Sequence, residues 1–290
     1  MSQADKDNMI ARYIGLAPPY LGSPKTVEGQ IGLDNTFSQD LGFAQVGITP
    51  SMYRHTVGIM KGLFNLMPKD TFKRLASTDW MKAVYQRIDA ERRGRKVTTN
   101  TVVDLLPQPN EQCMPGFSSR DAFCSQGLVD FSQFGTIEGD PITVSTLEKV
   151  FKKYAVVESS DAVWKSVQDN LFDDLTNTGV QTNVMYTTTL KTMYHFEFEE
   201  NPKVKTDNNQ YVASVNNQYQ YGDGTVLSTS SLIAGLKWAD DFKNKKAGAK
   251  PTTMIEVCST YQRRTSVFNT GTLDVSDNAY FGMECDCAGT

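Results

Sequence analysis

The stretch that decides the reading is Tyr221-Gly222-Asp223-Gly224-Thr225-Val226, followed at once by residues 227–238. Two glycines flank one carboxylate. Glycine accepts backbone angles and close approaches that other residues resist, so the loop can turn sharply and hold Asp223 outward in one pose. Behind it Ser228, Thr229 and Ser230 offer helix N-caps. Leu232, Ile233, Leu236 and Phe242 then form an apolar helix face. Ahead of the corner the chain reads as strand. The plain alternative is a surface β-turn, because Asp-Gly is a common turn pair.

Working outward, residues 182–190 are rich in β-branched side chains and read as a central strand. Residues 194–199 alternate Tyr, His, Phe, Glu, Phe, Glu and predict a half-exposed strand; residues 211–215 suggest another. Residues 252–258 (TTMIEVC) read as the last buried strand. At the other end, residues 14–17 read as a buried strand that Pro18 and Pro19 stop, with residues 20–24 as the loop after it. A chain that opens so close to a core strand is expected to be cut into there, since termini usually carry slack.

Between these ends, residues 25 to about 180 read as helical and irregular. Residues 51–66 carry Met52, Val57, Ile59, Met60, Leu63 and Phe64 at helical spacing. Asp79 is placed to cap a helix containing Trp80, Met81, Val84, Tyr85 and Ile88. Residues 98–142 suit an ordered loop region. Ser145 and Glu148 have capping-box spacing for a helix over 147–154. Asp161 is expected to cap another helix, running through Val163, Trp164, Val167, Leu171 and Phe172 to Leu175. The expected division is 1–30, 31–178 and 179–290.

The net charge of −4, with no long basic run, gives no electrostatic footprint for nucleic acid. No apolar run approaches the ~20 residues that span a bilayer. No secretory signal precedes Met9. Five cysteines, Cys113, Cys124, Cys258, Cys285 and Cys287, leave at least one unpaired within the chain. Cys113 and Cys124 close a short loop and can pair. Neither histidine lies near the terminal Cys285-Asp286-Cys287, which argues against zinc there. No cofactor or metal is expected.

Several separated segments resemble one family, the lecithin:cholesterol acyltransferases with their lysosomal phospholipase and phospholipid:diacylglycerol acyltransferase relatives. Tyr13-Ile14-Gly15-Leu16-Ala17-Pro18-Pro19-Tyr20-Leu21-Gly22-Ser23 is similar to the family's Ile-Ser-Leu-Gly-Ala-Pro-Trp-Gly-Gly-Ser segment. Gly222-Asp223-Gly224-Thr225-Val226, with Ser228 to Ser231 and Leu236 to Trp238, is similar to its Gly-Asp-(Gly/Asp)-Thr-Val segment and the Leu-Trp helix after it. The likeness covers both ends of the chain and hardly touches the middle. It implies an α/β fold: a partial α/β-hydrolase core, carrying the later strands of the sheet, with a largely helical cap and lid inserted at 31–178. It implies acyl transfer from a phospholipid to water or a lipid alcohol by a Ser-His-Asp triad, at a membrane or lipid-particle surface met peripherally. It suggests a secreted, lysosomal or endomembrane-lumen setting, which the chain itself leaves open.

Carried over residue by residue, only Asp223 matches, as the triad acid. The nucleophile motif Gly-x-Ser-x-Gly occurs nowhere in the chain. In this fold the triad runs Ser, Asp, His, yet His55 and His195 both precede Asp223. The family's cysteines near Met185 and near Ala234 are absent as well. These departures fit a fragment inactive as it stands, and equally a degenerate, non-catalytic lipid-binding or interaction protein on a hydrolase scaffold. In a complete triad Asp223 would orient the histidine and stabilise its imidazolium. Met60, Phe64, Leu66 and Trp80 would offer apolar surface to acyl chains, or simply form core. A Cys258 nucleophile with His195 has suitable residue types, but Cys258 ends an apolar strand, where inert thiols are common. A phosphate cradle at 222–226 is rejected, because Asp223 would repel phosphate.

Overall fold

The computed structural model describes residues 2–31, 79, 82, 86, 133–154, 159–168, 175–188, 190–200, 211–213 and 216–257. They form a mixed α/β architecture with two sheets. The first is three-stranded and parallel, in the order β1 (Tyr13–Leu16), β4 (Thr182–Tyr186), β8 (Thr252–Glu256). The second joins β3 (Asp140–Thr143), β2 (Gln133–Ile137), β5 (Leu190–Glu200) and β6 (Tyr211–Ala213), while β7 (Gln218–Gly222) pairs with β5. Pairing of β2 with β5 joins segments on either side of residue 178. The helices are α1 (Gln3–Met9), α2 (Lys25–Ile31), α3 (Leu147–Tyr154), α4 (Ser160–Gln168) and α5 (Ser228–Lys243).

β4 takes the central place because Thr182, Val184 and Tyr186 alternate inward with a β-branched-rich sequence. Register aligns Gly15, Val184 and Met254 on one face of the parallel sheet. There α5 seats itself closely: a Cβ on Gly235 would already press on Met254 and Val184. The second sheet carries the main apolar cluster. Val27 and Ile31 of α2, Phe151 of α3 and Trp164 of α4 close over Phe134, Ile137, Phe196 and Phe198. In α3, Leu147, Val150, Phe151 and Tyr154 recur at helical spacing and are all buried, while Lys149, Lys152 and Lys153 face out.

Several sequence expectations are corrected here. Residues 133–143 are a β-hairpin, not loop. Its two-residue turn, Glu138-Gly139, has φ of 51° and 82°, the left-handed pair that suits a tight hairpin. Glutamate is a rare first residue for such a turn, so the usual Asn-Gly or Asp-Gly signal is missing. The capping box of Ser145 and Glu148 does not form. Ser145 Oγ lies 2.9 Å from Thr143 Oγ1, and Glu148 faces Lys165 at 4.0 Å. Asp161 lies inside the first turn of α4, with Oδ1 on the amide of Ala162, and Leu175 has left the helix at φ 44°. The strand at 14–17 is not the buried one expected: Gly15 is enclosed, but Ile14 and Leu16 are 54% and 71% exposed on the face opposite α5. β8 is likewise an edge strand in which Met254 alone is buried. Phe242 stands exposed instead of completing the α5 face.

Residues 2–9, absent from the sequence reading, wind into α1 through a capping box of Ser2 and Asp5. Gln3 Nε2 and Lys6 Nζ tie it to the carbonyls of Gly179 and Thr178. The expected helix at 51–66, the lid residues Met60, Phe64, Leu66 and Trp80, and all five cysteines lie outside the described residues. From the expected helix after Asp79, the exposed helical positions Asp79, Lys82 and Gln86 are described, with Lys82 Nζ 3.2 Å from Asp79.

Candidate functional site

Asp223 reaches its place by way of the long strand β5. That strand leaves the carboxyl end of β4 and is followed back by β6 and β7, with Glu200 opposite Tyr211 and Leu190 opposite Gly222. The return delivers Asp223 next to Leu190, only a few residues past Tyr186 at the end of β4. Open α/β sheets present their ligand crevices outside the carboxyl ends of parallel strands, and the corner stands on that side. Thr188 Oγ1 and Glu256 Oε1, 2.5 Å apart, mark the ends of β4 and β8 there.

The corner is built from backbone. Gly222 forms a bridge with Leu227, and a Cβ on Gly222 would run into Val226 O and Thr192 Oγ1. Gly224 has φ 93°, which suits glycine alone among ordinary residues, and its amide donates to Thr192 Oγ1 at 2.8 Å. Asp223 Oδ1 accepts from the amides of Thr225 (2.7 Å) and Val226 (2.6 Å), and Asp223 N donates to Val226 O at 3.1 Å. This is an Asx-type turn, the geometry that the plain turn reading expects. All the side-chain bonds fall on Oδ1. Among the described residues Oδ2 receives none, and it remains an acceptor for an incoming donor.

Burial pushes the Asp223 carboxyl above the ordinary carboxylate range. The amides of Val226 and Thr225, the residue's own amide and the charge of Lys25 act in the opposite direction.

Serine hydroxyls fasten the corner to the loop after β1. The N-cap of α5 is Leu227, with no side-chain cap bond, so Ser228, Thr229 and Ser230 are not the caps their sequence suggests. Instead Ser228 Oγ donates to Tyr221 O (3.0 Å) and Ser231 Oγ to Pro18 O (2.8 Å). Ser230 Oγ donates to Gly22 O (2.8 Å) and accepts from the amide of Leu21 (3.1 Å). Ser23 Oγ donates to Thr225 O at 2.5 Å. Two segments some two hundred residues apart, both singled out by their sequence, are thus one surface. Sequence reasoning missed Lys25, Thr192 and the linking serines. Their signal was weak, because Ser and Thr after a turn ordinarily mean caps.

The structure does not bring His195 to Asp223. It pairs with Gln218, five positions along β5 from Leu190, or about 16 Å at the usual strand rise. It packs edge-on to Tyr194 instead. His55 and Cys258 lie outside the described residues. Among the described residues no three His, Cys, Asp or Glu side chains gather as a metal site would require, and no helix is long and apolar enough to cross a membrane. No family model and no curated protein matches the chain.

Proposed function

We propose that the chain belongs to a lipid acyltransferase or phospholipase of the lecithin:cholesterol acyltransferase type, and that Asp223 is the acid of its Ser-His-Asp triad. The observation that carries this reading is the corner itself. An acid held by its own loop through Oδ1 keeps Oδ2 open, at the carboxyl-end side of a parallel sheet and joined to the loop after β1. A triad acid needs that arrangement, since it must accept a histidine N–H without moving. The serine would attack the ester, the histidine would take its proton, and the acyl chain would pass to water or an alcohol. On this reading serine and histidine are supplied by flanking sequence or a second chain, because these 290 residues have neither Gly-x-Ser-x-Gly nor a histidine after Asp223. The partner is a phospholipid or related lipid ester, met at a membrane or particle surface; nucleic acid is not a partner.

The test is Asp223→Asn in the chain with its native flanking sequence, assayed by fatty-acid release from phosphatidylcholine vesicles. Loss of the orienting carboxylate in a serine triad lowers kcat by about 10⁴-fold. Unchanged turnover would remove Asp223 from the mechanism. A second reading, a lipid-binding protein without catalysis, is favoured by the exposed apolar side chains Ile14 and Leu16, 54% and 71% exposed on one face of β1. Vesicle binding without any fatty-acid release, unaffected by Asp223→Asn, selects it.

A further inference from the structure

Among the described residues β1 has a single neighbour, β4, and lies at the edge of its sheet. The amide of Tyr13 donates to Gln181 O at 2.9 Å and that of Ala17 to Met185 O at 2.8 Å. Peptide groups alternate in direction along a strand, so the amides and carbonyls of Ile14 and Leu16 point away from β4. An edge of this kind is a template for another chain. Natural edges are blunted by charge, proline or a bulge, and Tyr13–Leu16 carries none of these; Arg12 and Pro18 lie just outside it. Ile14 and Leu16 stand exposed on the face opposite α5. There the row from Leu16 continues through Met185 to Ile255, both only half-buried.

The edge is complementary to itself. A copy related by a two-fold axis through Gly15 runs antiparallel and sets Ile14 opposite Leu16 twice over. Both residues of each pair have their peptide groups turned outward, so each pair can exchange two hydrogen bonds. Gly15 faces its own counterpart at the axis, where opposed Cα atoms approach to about 4.5 Å, and brings no side chain to that position. Ile14 and Leu16 share one face of the strand, so they meet as apolar cross-strand pairs. At the next hydrogen-bonding position Arg12 opposes Pro18, which has no amide to give, and the ladder ends.

We propose that β1 is the contact through which two copies of this chain associate, joining their three-stranded sheets edge to edge. Four residues from each copy fall well short of the ~1,200 Å² that a lasting interface buries, so the association is weak and depends on concentration. It does not require the role given to Asp223.

The test uses the 290-residue chain under reducing conditions, so that its five cysteines cannot link copies. Sedimentation equilibrium over a wide concentration range is expected to show an apparent mass rising from 32.3 kDa toward twice that value. Leu16→Lys places a charge in the pair, at a side chain already exposed, and is expected to hold the mass at the monomer value. Amide hydrogen exchange identifies the contact. The Ile14 and Leu16 amides are expected to exchange quickly in dilute solution and to slow as concentration rises. The Tyr13 and Ala17 amides, bonded within the copy, should keep one rate throughout. A mass of 32.3 kDa at every concentration overturns the proposal. A dimer that survives Leu16→Lys overturns it too, as does one whose Ile14 and Leu16 amides exchange as they do in dilute solution, because the copies then meet elsewhere. Vesicle binding by a chain that stays monomeric gives the exposed side chains to lipid and likewise removes it.

Discussion

Replacing Ser230 by alanine tests whether the corner and the loop after β1 are one unit. Ser230 is fully enclosed, and its hydroxyl serves two backbone groups at once, accepting from Leu21 N and donating to Gly22 O. Removing it strands a donor and an acceptor, each at a cost of about 1–3 kcal/mol. The expected loss is about 2–6 kcal/mol, a large share of the 5–15 kcal/mol typical of a domain. Neighbouring serines give the scale. Pro18 O keeps the amide of Tyr20 when Ser231 loses its hydroxyl, so Ser231→Ala should cost only about 1 kcal/mol. Ser228→Ala removes a single bond to Tyr221 O, again about 1 kcal/mol. Urea unfolding of the three variants, with unchanged denaturant slope, reads the order directly. A Ser230→Ala loss no greater than that of Ser228→Ala would refute the reasoning, because the hydroxyl would then not be bridging two buried groups.

Two further outcomes follow from the same geometry. Gly222→Ala puts a methyl group against Val226 O and Thr192 Oγ1, both held by the turn, and should cost about 1–3 kcal/mol by overpacking; a thermal melt equal to that of the unmodified chain would show that the loop yields. Asp223 has a folded-state value raised above the ordinary 3.8, so the folded protein holds its proton more firmly than the unfolded chain does. Its contribution to stability is therefore fully present below 3.8 and is lost as the pH rises through the raised value. Urea titrations across that window should show Asp223→Asn gaining on the unmodified protein as pH increases, and the opposite trend would reverse the assigned sign.

The sequence disclosed the acid corner, a central strand within 182–190 (the strand itself ends at Tyr186) and the helix after the corner, because each is written in local chemistry. Gly222 and Gly224 permit what other residues would obstruct, Thr182 to Tyr186 alternate with β-branched side chains, and Leu232, Ile233 and Leu236 keep a helical period. It concealed the hairpin at 133–143, whose turn uses Glu138 where Asn or Asp is customary. It also overstated the burial of β1. Apolar type says only that Ile14 and Leu16 prefer cover, and which face α5 takes depends on register with β4.

What the sequence by itself determined is the acid and the turn that holds it, since both rest on residues within four positions of one another. Only the tertiary structure decided what that acid meets. Pairing of β5 with β7 carried it to the strand ends, the serines of α5 and Ser23 bound it to a loop two hundred residues away, and His195 was left along β5 beside Tyr194. The physical reason is range. Backbone conformation and side-chain capping act over a few residues and are legible in order, whereas enclosure, and with it the charge a carboxylate keeps, is set by neighbours that chain order does not name.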